Sequence, residues 1–309
     1  MTPFSKLTSL LTVLSVSFLL VNPGIGADKL TDRTHAAFLS ASANDTLMCW
    51  LFLDDEARDS SPIVLSEKAR SRRARVDPAG LLIDERDYPI KSQVVTAIGN
   101  TGARVRRSSR WLGAVSVEAT AEQLVQLDRL AFVKRVDLVD VLISPVEPQT
   151  PRTLDKAARL KSAAFSYGSS YFQNRFVNAI KLHDAGLTGK GVLIALFDSG
   201  FDIYQRVFDS MSIIATWDFI NDDTTVDEPE CPLDPVPQNL HGTLVLSVIG
   251  GFLPDTLIGV APDADYMLAK TEITCDGTEI KIEEDNWIAA AEWADSLGAD
   301  IISSSLGYL

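Results

Sequence analysis

Cysteine and histidine are scarce in this sequence, with three of each among 309 residues. No C-x-x-C pair is present, which argues against a structural zinc site. The three cysteines allow at most one disulfide. If a disulfide forms, Cys231 and Cys275 are the expected pair, because both lie in apparent loops of the same half of the chain, away from Cys49.

Basic residues are outnumbered, with 28 Lys and Arg against 42 Asp and Glu and a net charge of −14. Because phosphate binding needs basic patches, this balance disfavours nucleic acid as a partner. No glycine-rich phosphate loop follows the strand predicted from Val192, so a nucleotide-binding α/β domain is a minor alternative. A hydrophobic content of 46% is ordinary for a globular protein, and the length allows one large or two smaller domains.

No apolar run beyond residue 27 is long enough to span a bilayer, and residues 1–27 are typical of an export signal. Lys6 supplies a positive start, residues 7–21 an apolar core, and residues 24–27 small side chains for cleavage. The core is shorter than the roughly 20 residues needed to span, which makes a membrane anchor the lesser interpretation. We expect a secreted protein, extracellular or periplasmic, with no membrane span after signal removal.

Residues 28–142 have the pattern of a small α+β domain. Ser66 is placed to cap a short helix, and Thr120 with Gln123 forms a capping box that opens another. Predicted strands at 46–53, near Val105, at 114–118 and at 132–138 are interleaved with two or three helices. This alternation predicts an α+β sandwich of the split βαβ, ferredoxin-like kind.

Two polar segments are not expected to have a catalytic or binding function. Residues 143–175, with Pro145, Pro148 and Pro151, have the composition of a linker. Four arginines cluster in the first predicted helix, and we expect them to form a solvated face rather than a nucleic-acid contact or a dibasic processing site. They are Arg70, Arg72, Arg73 and Arg75.

Residues 176–309 alternate strands with helices, which predicts an α/β domain with a parallel, doubly wound sheet. Strands are expected at 192–197, 213–219, 266–269 and from Ile301, and a long helix starting at 284 or 285 and ending at Leu297. In that helix Trp287, Ala290, Ala291 and Ala294 keep the spacing of a buried face. Trp293 is out of that register, and we expect it to pack in the core rather than edge a cleft.

An aspartate and a histidine stand where this domain would hold a site. The apolar run 192–197 is typical of a strand buried on both faces, and it ends in Asp198-Ser199-Gly200. His241 follows 43 residues later and opens an apolar series with helical spacing. An acid at a strand end and an imidazole at a helix start supply two members of an Asp–His–Ser charge system.

Around these two residues the sequence resembles the subtilisin-like serine proteases (subtilases, peptidase family S8). The matching segments are residues 197–202 (Phe-Asp-Ser-Gly-Phe-Asp), 241–245 (His-Gly-Thr-Leu-Val), 259–262 (Gly-Val-Ala-Pro) and 305–307 (Ser-Leu-Gly). The resemblance implies catalytic roles for Asp198 and His241. It implies substrate contacts for Ser305, Leu306 and Gly307, polypeptides as substrates, and no required cofactor.

Residues 28–142 resemble, more loosely, the propeptide of secreted subtilases. The similar segments are 65–69 (Leu-Ser-Glu-Lys-Ala), 72–73 (Arg-Arg), 110–116 (Arg-Trp-Leu-Gly-Ala-Val-Ser) and 132–133 (Phe-Val). The resemblance implies a zymogen in which this domain contacts the protease domain of its own chain, assists its folding and blocks its cleft until removal.

The family's nucleophile motif, Gly-Thr-Ser, does not occur in the 309 residues, nor does a GxSxG elbow. We therefore expect the N-terminal part of a secreted serine endopeptidase, truncated before the catalytic serine and the oxyanion asparagine, and inactive by itself. The alternative is a non-catalytic inhibitory or chaperone-like propeptide protein or a pseudoprotease.

No metal site is predicted. Asp222, Asp223, Asp227, Glu228 and Glu230 crowd one loop, and calcium takes several hard oxygens, but no calcium-loop motif is present. We expect a solvated acidic loop there, with calcium as the alternative. His35 and His183 are expected to be surface or packing residues rather than ligands.

Overall fold

The computed structural model describes residues 28–78, 80–139, 164–227, 238–275, 278–279 and 283–305. We call residues 28–139 the N-terminal region and residues 164–305 the C-terminal region. The predicted signal segment, most of the predicted linker and the Cys231–Cys275 pair lie outside the described side chains. Cys49 is a buried free thiol.

The N-terminal region is an antiparallel four-stranded sheet with helices packed on one face. Its strand order is β2-β3-β1-β4, which is the order of two interlocked split βαβ units. The predicted ferredoxin-like sandwich is therefore confirmed. Its elements are α1 (Asp32–Ser40), β1 (Thr46–Leu53), α2 (Glu67–Val76), α3 (Ser92–Gly99), β2 (Arg104–Ser109), β3 (Ala114–Thr120), α4 (Ala121–Asp128) and β4 (Val133–Leu138).

Local sequence explains these elements. The Ser66 side chain accepts a hydrogen bond from the Ala69 N–H at the start of α2. Thr120 and Gln123 form the predicted capping box at α4. Along β1, Leu51 belongs to the core beneath α3 and α4, whereas Trp50 belongs to the opposite face of the sheet. This alternation leaves a second apolar face that needs cover.

The C-terminal region holds a parallel sheet of order β12-β5-β9-β6 with helices on both faces. The doubly wound α/β architecture predicted for this half is confirmed. Its elements are α5 (Tyr171–Phe176), α6 (Ala179–Asp184), β5 (Leu193–Asp198), β6 (Ser212–Asp218), α7 (Leu240–Gly250), β7 (Phe252–Leu253), β8 (Leu257–Ile258), β9 (Asp265–Lys270), β10 (Thr274–Cys275), β11 (Thr278–Glu279), α8 (Glu283–Leu297) and β12 (Ile301–Ser304).

Strand β5 is buried along its whole length and organises the C-terminal region. One set of its side chains, including Phe197, packs in a cluster with Ala290 and Ala294 of α8. The alternate set, including Leu196, packs in a second cluster with Leu246 of α7. The buried alanine face predicted for α8 is therefore present, and Trp293 packs at the edge of that cluster.

The end of the predicted linker differs from the composition-based expectation. Residues 168–170 form a 3-10 turn that continues into α5. Tyr167 is fully buried, and its hydroxyl lies 2.6 Å from Nδ1 of His183. The ring stacking of Tyr167 on His183 supplies an anchor that a composition rule does not detect. His183 is thus a packing residue, while His35 is exposed.

The N-terminal region lies on α8 of the C-terminal region. Trp50 and Ala114, on the open face of its sheet, pack with Ile288 of α8. Trp111 packs against the cluster that contains Phe197. The intramolecular contact expected between the two halves is therefore present.

The prediction of a solvated arginine face on α2 is wrong for Arg72 and Arg73. Arg73 pairs with Asp87 of its own region and with Asp295 of α8, each at 2.7 Å. Arg72 also pairs with Asp295. The carboxylate that binds both arginines is more than 200 positions away in sequence, so helix periodicity gave no sign of it.

Among the described residues, no helix combines the length and the apolar character that crossing a bilayer requires.

Candidate active site

Asp198 lies at the carboxyl end of β5, and its side chain is 1% exposed. Its Oδ1 accepts a hydrogen bond from the Ser199 N–H at 2.8 Å. The same oxygen lies 2.8 Å from Nδ1 of His241. Because a carboxylate only accepts, Nδ1 carries the shared proton and the lone pair of the neutral ring is left on Nε2.

His241 is the second residue of α7, and its side chain is 44% exposed. The hydrogen bond and charge of Asp198 raise the pKa of His241, against the opposing effect of partial burial. The imidazole is therefore oriented at one nitrogen, open to solvent on part of its surface, and a stronger base than a free histidine.

Two glycines allow α7 to approach the end of β5. A Cβ placed on Gly242 would lie 2.2 Å from the Gly200 carbonyl oxygen and 3.0 Å from Asp198 Oδ1. Gly200 itself has φ of +131°, a conformation that L side chains rarely adopt. The His-Gly and Ser-Gly pairs in the sequence thus bring the acid and the base within hydrogen-bond distance.

Thr243 completes the connection between the two elements. Its Oγ1 accepts from the Asp202 N–H at 2.8 Å and donates to the Asn239 carbonyl at 2.6 Å. The hydroxyl therefore joins the loop after β5 to the first turn of α7. Each residue of the His-Gly-Thr segment has a structural or chemical task.

The turn after Asp198 is held by a residue that the sequence analysis missed. The Ser199 hydroxyl donates to the Gln238 carbonyl at 2.7 Å, and Gln238 Nε2 donates back to the Ser199 carbonyl at 2.9 Å. Gln238 also donates to the Glu272 carbonyl at 3.0 Å. Gln238 is buried just before α7, where sequence alone gives it no distinguishing pattern.

A buried ion pair at the same sheet edge was also missed. Lys270 on β9 pairs in register with Asp198 on one side and Asp218 on the other. Its Nζ lies 3.0 Å from Asp218 Oδ2, and both side chains are fully buried. A lysine that ends an apolar strand was the available signal, since lysine is almost never buried without a partner.

Ser305 follows β12, whose Ser304 pairs with Phe197. It is exposed at the same end of the sheet as Asp198. Leu306 and Gly307, the other two residues with implied substrate contacts, lie outside the described residues. The structure therefore brings Asp198 and His241 into contact and places Ser305 at the same sheet edge.

Within the described ranges, no group of three or more His, Cys, Asp or Glu side chains could hold a metal ion. In the acidic loop, Asp222 pairs with Arg107 at 2.7 Å and Asp223 accepts from the Thr225 N–H. Residues 228–237 of that loop are outside the described part.

Comparisons with known proteins agree with this architecture. Residues 48–155 match the peptidase S8 propeptide domain of Bacteroidota, and residues 189–308 match the subtilase family. Together these two matches cover more than half of the chain. No curated protein matches the sequence.

Among solved structures, two crystal structures of the epidermin leader peptide processing serine protease of Staphylococcus aureus are similar to this chain. A variant of it is 12% identical, with a TM-score of 0.51 and coverage of 86% of this chain and 51% of that one. The second structure is 13% identical, with a TM-score of 0.50 and coverage of 85% and 50%. At this identity the likeness shows the fold alone.

A third similar structure is fervidolysin from Fervidobacterium pennivorans, a keratinolytic enzyme related to subtilisin. It is 16% identical, with a TM-score of 0.47 and coverage of 83% of this chain and 35% of that one. The chain thus spans about half or less of the length of these solved structures. The propeptide match falls on the antiparallel sandwich and the subtilase match on the doubly wound sheet, so residues 189–308 belong to the subtilase family and residues 48–155 to its propeptide domains.

Proposed function

We propose that the whole protein is a secreted serine endopeptidase in which Asp198 and His241 serve a serine nucleophile. The observation that carries this proposal is the 2.8 Å hydrogen bond between His241 Nδ1 and Asp198 Oδ1. It joins a buried acid on a rigid strand to an imidazole that is partly open to solvent.

The chemistry follows from the orientation of the ring. Nε2 of His241 would take the proton of the attacking serine hydroxyl and later give it to the leaving amine. Asp198 would hold the ring in the productive tautomer and stabilise the imidazolium, which the raised pKa of His241 already reflects. These steps use side chains only, so the proposal requires no cofactor and takes polypeptides as substrates.

No Gly-Thr-Ser segment occurs in the 309 residues, so the nucleophile that the proposal needs is not among them. In subtilisin, a relative by family, loss of the serine costs about a million-fold in kcat. We therefore expect the 309-residue chain alone to be inactive.

The N-terminal region supports a zymogen. It covers α8 with apolar and charged contacts, as a domain that holds a protease inactive or assists its folding would do. Export is supported by the signal-like composition of residues 1–27. We propose an extracellular or periplasmic location on that basis.

The test begins with the source gene, read past the codon for Leu309. An open frame that reaches a Gly-Thr-Ser segment would be expressed and treated with a fluorophosphonate probe, which labels activated serines. We expect labelling of that protein once its N-terminal region has been removed, and a loss of about 10⁴-fold or more in kcat/KM for His241→Ala. The control is His35→Ala, which changes an exposed histidine on α1 of the N-terminal region and should leave the labelling rate unchanged.

A stop codon directly after Leu309, or an extended protein that the probe does not label even after its N-terminal region has been removed, would overturn the proposal. The function would then belong to the N-terminal region, as a non-catalytic inhibitor or chaperone.

A further inference from the structure

The contact between the two regions contains a fully desolvated ion pair. Arg106 on β2 has a side chain 5% exposed, and Asp285 near the start of α8 is 0% exposed. Arg106 Nη2 donates to Asp285 Oδ1 at 2.8 Å and its Nε donates to Oδ2 at 2.9 Å. The Ser116 hydroxyl donates to the same Oδ2 at 2.6 Å. Asp285 thus takes three hydrogen bonds from the N-terminal region.

A second group of charges lies toward the other end of α8. Asp295 pairs with Arg72, Arg73 and Arg110 of the N-terminal region. Glu292 accepts from the Ser109 hydroxyl at 2.6 Å and from two backbone N–H groups, those of residues 110 and 111. These acids are 13% and 10% exposed, so water screens them only slightly more than Asp285.

The two regions carry opposite charges where they meet. In each ion pair that the described residues form between the regions, the cation belongs to the N-terminal region and the acid to the C-terminal region. The pairs are Lys68–Asp300, Arg75–Asp300, Arg72–Asp295, Arg73–Asp295, Arg110–Asp295, Arg110–Glu292, Arg106–Asp285 and Arg107–Asp222.

Burial decides what such a pair does. A buried ion pair adds little net stability over an apolar pair of the same size, because both charges lose their hydration. A buried charge whose partner is missing is costly, however, and that cost rejects wrong partners. Apolar contacts such as Trp50 against Ile288 supply attraction without discriminating between helices.

We infer that Arg106 and Asp285 determine docking specificity: the N-terminal region is accepted only by a helix that presents a carboxylate at the Asp285 position. The arginines that pair with Asp295 and Glu292 extend the same requirement for carboxylates along α8. This recognition rule rests on the proposed propeptide role of the N-terminal region, but it does not depend on catalysis. Its test is a docking measurement, so its failure is distinguishable from failure of the protease proposal.

The test uses hydrogen exchange on the full chain with four combinations of charge at the two positions. The variants are Arg106→Asp, Asp285→Arg and the two together, compared with the unaltered chain. We expect each single variant to exchange at least tenfold faster in α8 and β2, with β5 as the internal reference. The swapped pair should recover at least half of the lost protection on a logarithmic scale.

Arg104→Asp is the matched control. Arg104 lies on the same strand but is 72% exposed and pairs with Glu118 of its own region. Its substitution should leave exchange in α8 unchanged. If the Arg106 variant behaves like the Arg104 variant, or if the swapped chain loses as much protection as the two single variants combined, the inference is wrong.

A second set of variants, which neutralise the charges without reversing them, covers the case in which a reversed charge prevents folding. Asp285→Asn leaves Arg106 with an unmatched charge and should release α8, whereas Arg106→Gln added to it makes a neutral pair and should restore protection. Full protection in Asp285→Asn alone would overturn the inference, since docking would then be indifferent to the charge at that position.

Discussion

Lys270→Met tests whether the sheet edge beside Asp198 depends on a buried charge. Methionine keeps the length of the lysine stem and removes the cation that faces Asp218 Oδ2 at 3.0 Å. Removing one partner of a buried ion pair typically costs about 3–5 kcal/mol, because the other charge stays buried without compensation. The Asp218 carboxylate also accepts from the N–H groups of Ile220 and Asn221. We therefore expect the lower end, about 3 kcal/mol of destabilisation.

Urea unfolding of the full chain, followed by tryptophan fluorescence, measures this difference. The midpoint should fall without a change in slope, since the amount of surface exposed on unfolding stays the same. Adding Asp218→Asn to Lys270→Met removes the unmatched charge and keeps an acceptor for the two N–H groups. The double variant should recover most of the loss.

Lys134→Met is the control, because Lys134 is 50% exposed and pairs with Asp54 at 3.3 Å on the surface. It should change stability by no more than about 0.5 kcal/mol. Equal midpoints for the Lys270 and Lys134 variants would refute the argument. So would a double variant that is less stable than Lys270→Met.

Three further predictions concern the candidate active site and the N-terminal region. By NMR, His241 should titrate above the usual histidine pKa of about 6.5, and Asp198→Asn should lower that pKa. The stability that the Asp198–His241 hydrogen bond adds should be fully present below about pH 6 and should be lost as the pH rises through the folded-state pKa of His241. Gly242→Ala should destabilise by about 2 kcal/mol or more in urea, because its Cβ would overlap the Gly200 carbonyl; an unchanged midpoint would contradict the close approach. Thr120→Ala should cost about 1 kcal/mol through loss of the capping box, whereas Thr120→Ser should restore most of it.

Much of the fold could be predicted because its signals are local. The apolar run that ends at Asp198 has the composition of a doubly buried strand, and β5 is buried over its whole length. The caps at Ser66 and Thr120 depend on atoms three residues apart, a distance at which sequence spacing fixes the geometry. His241 could be placed at a helix start for the same reason.

Non-local partners explain what could not be predicted. The helix carrying Arg72 and Arg73 has the charge pattern of a solvated surface, and it would be one if Asp295 did not lie against it. Its periodicity contains no information about a carboxylate on α8. Likewise, Lys270 and Asp218 are 52 positions apart and become neighbours only through parallel pairing of β9 with β6.

The same distinction applies inside the candidate site. That an acid and an imidazole belong together could be predicted from two short segments, because each lies at the end of a regular element. The basicity of His241 could not, since it is set by a balance between the Asp198 hydrogen bond, which raises the pKa, and partial burial, which lowers it. That balance depends on how closely α7 approaches β5, and the closeness rests on Gly200 and Gly242 meeting without side chains. A sequence can therefore place both groups, whereas the strength of the base is a property of the packed structure.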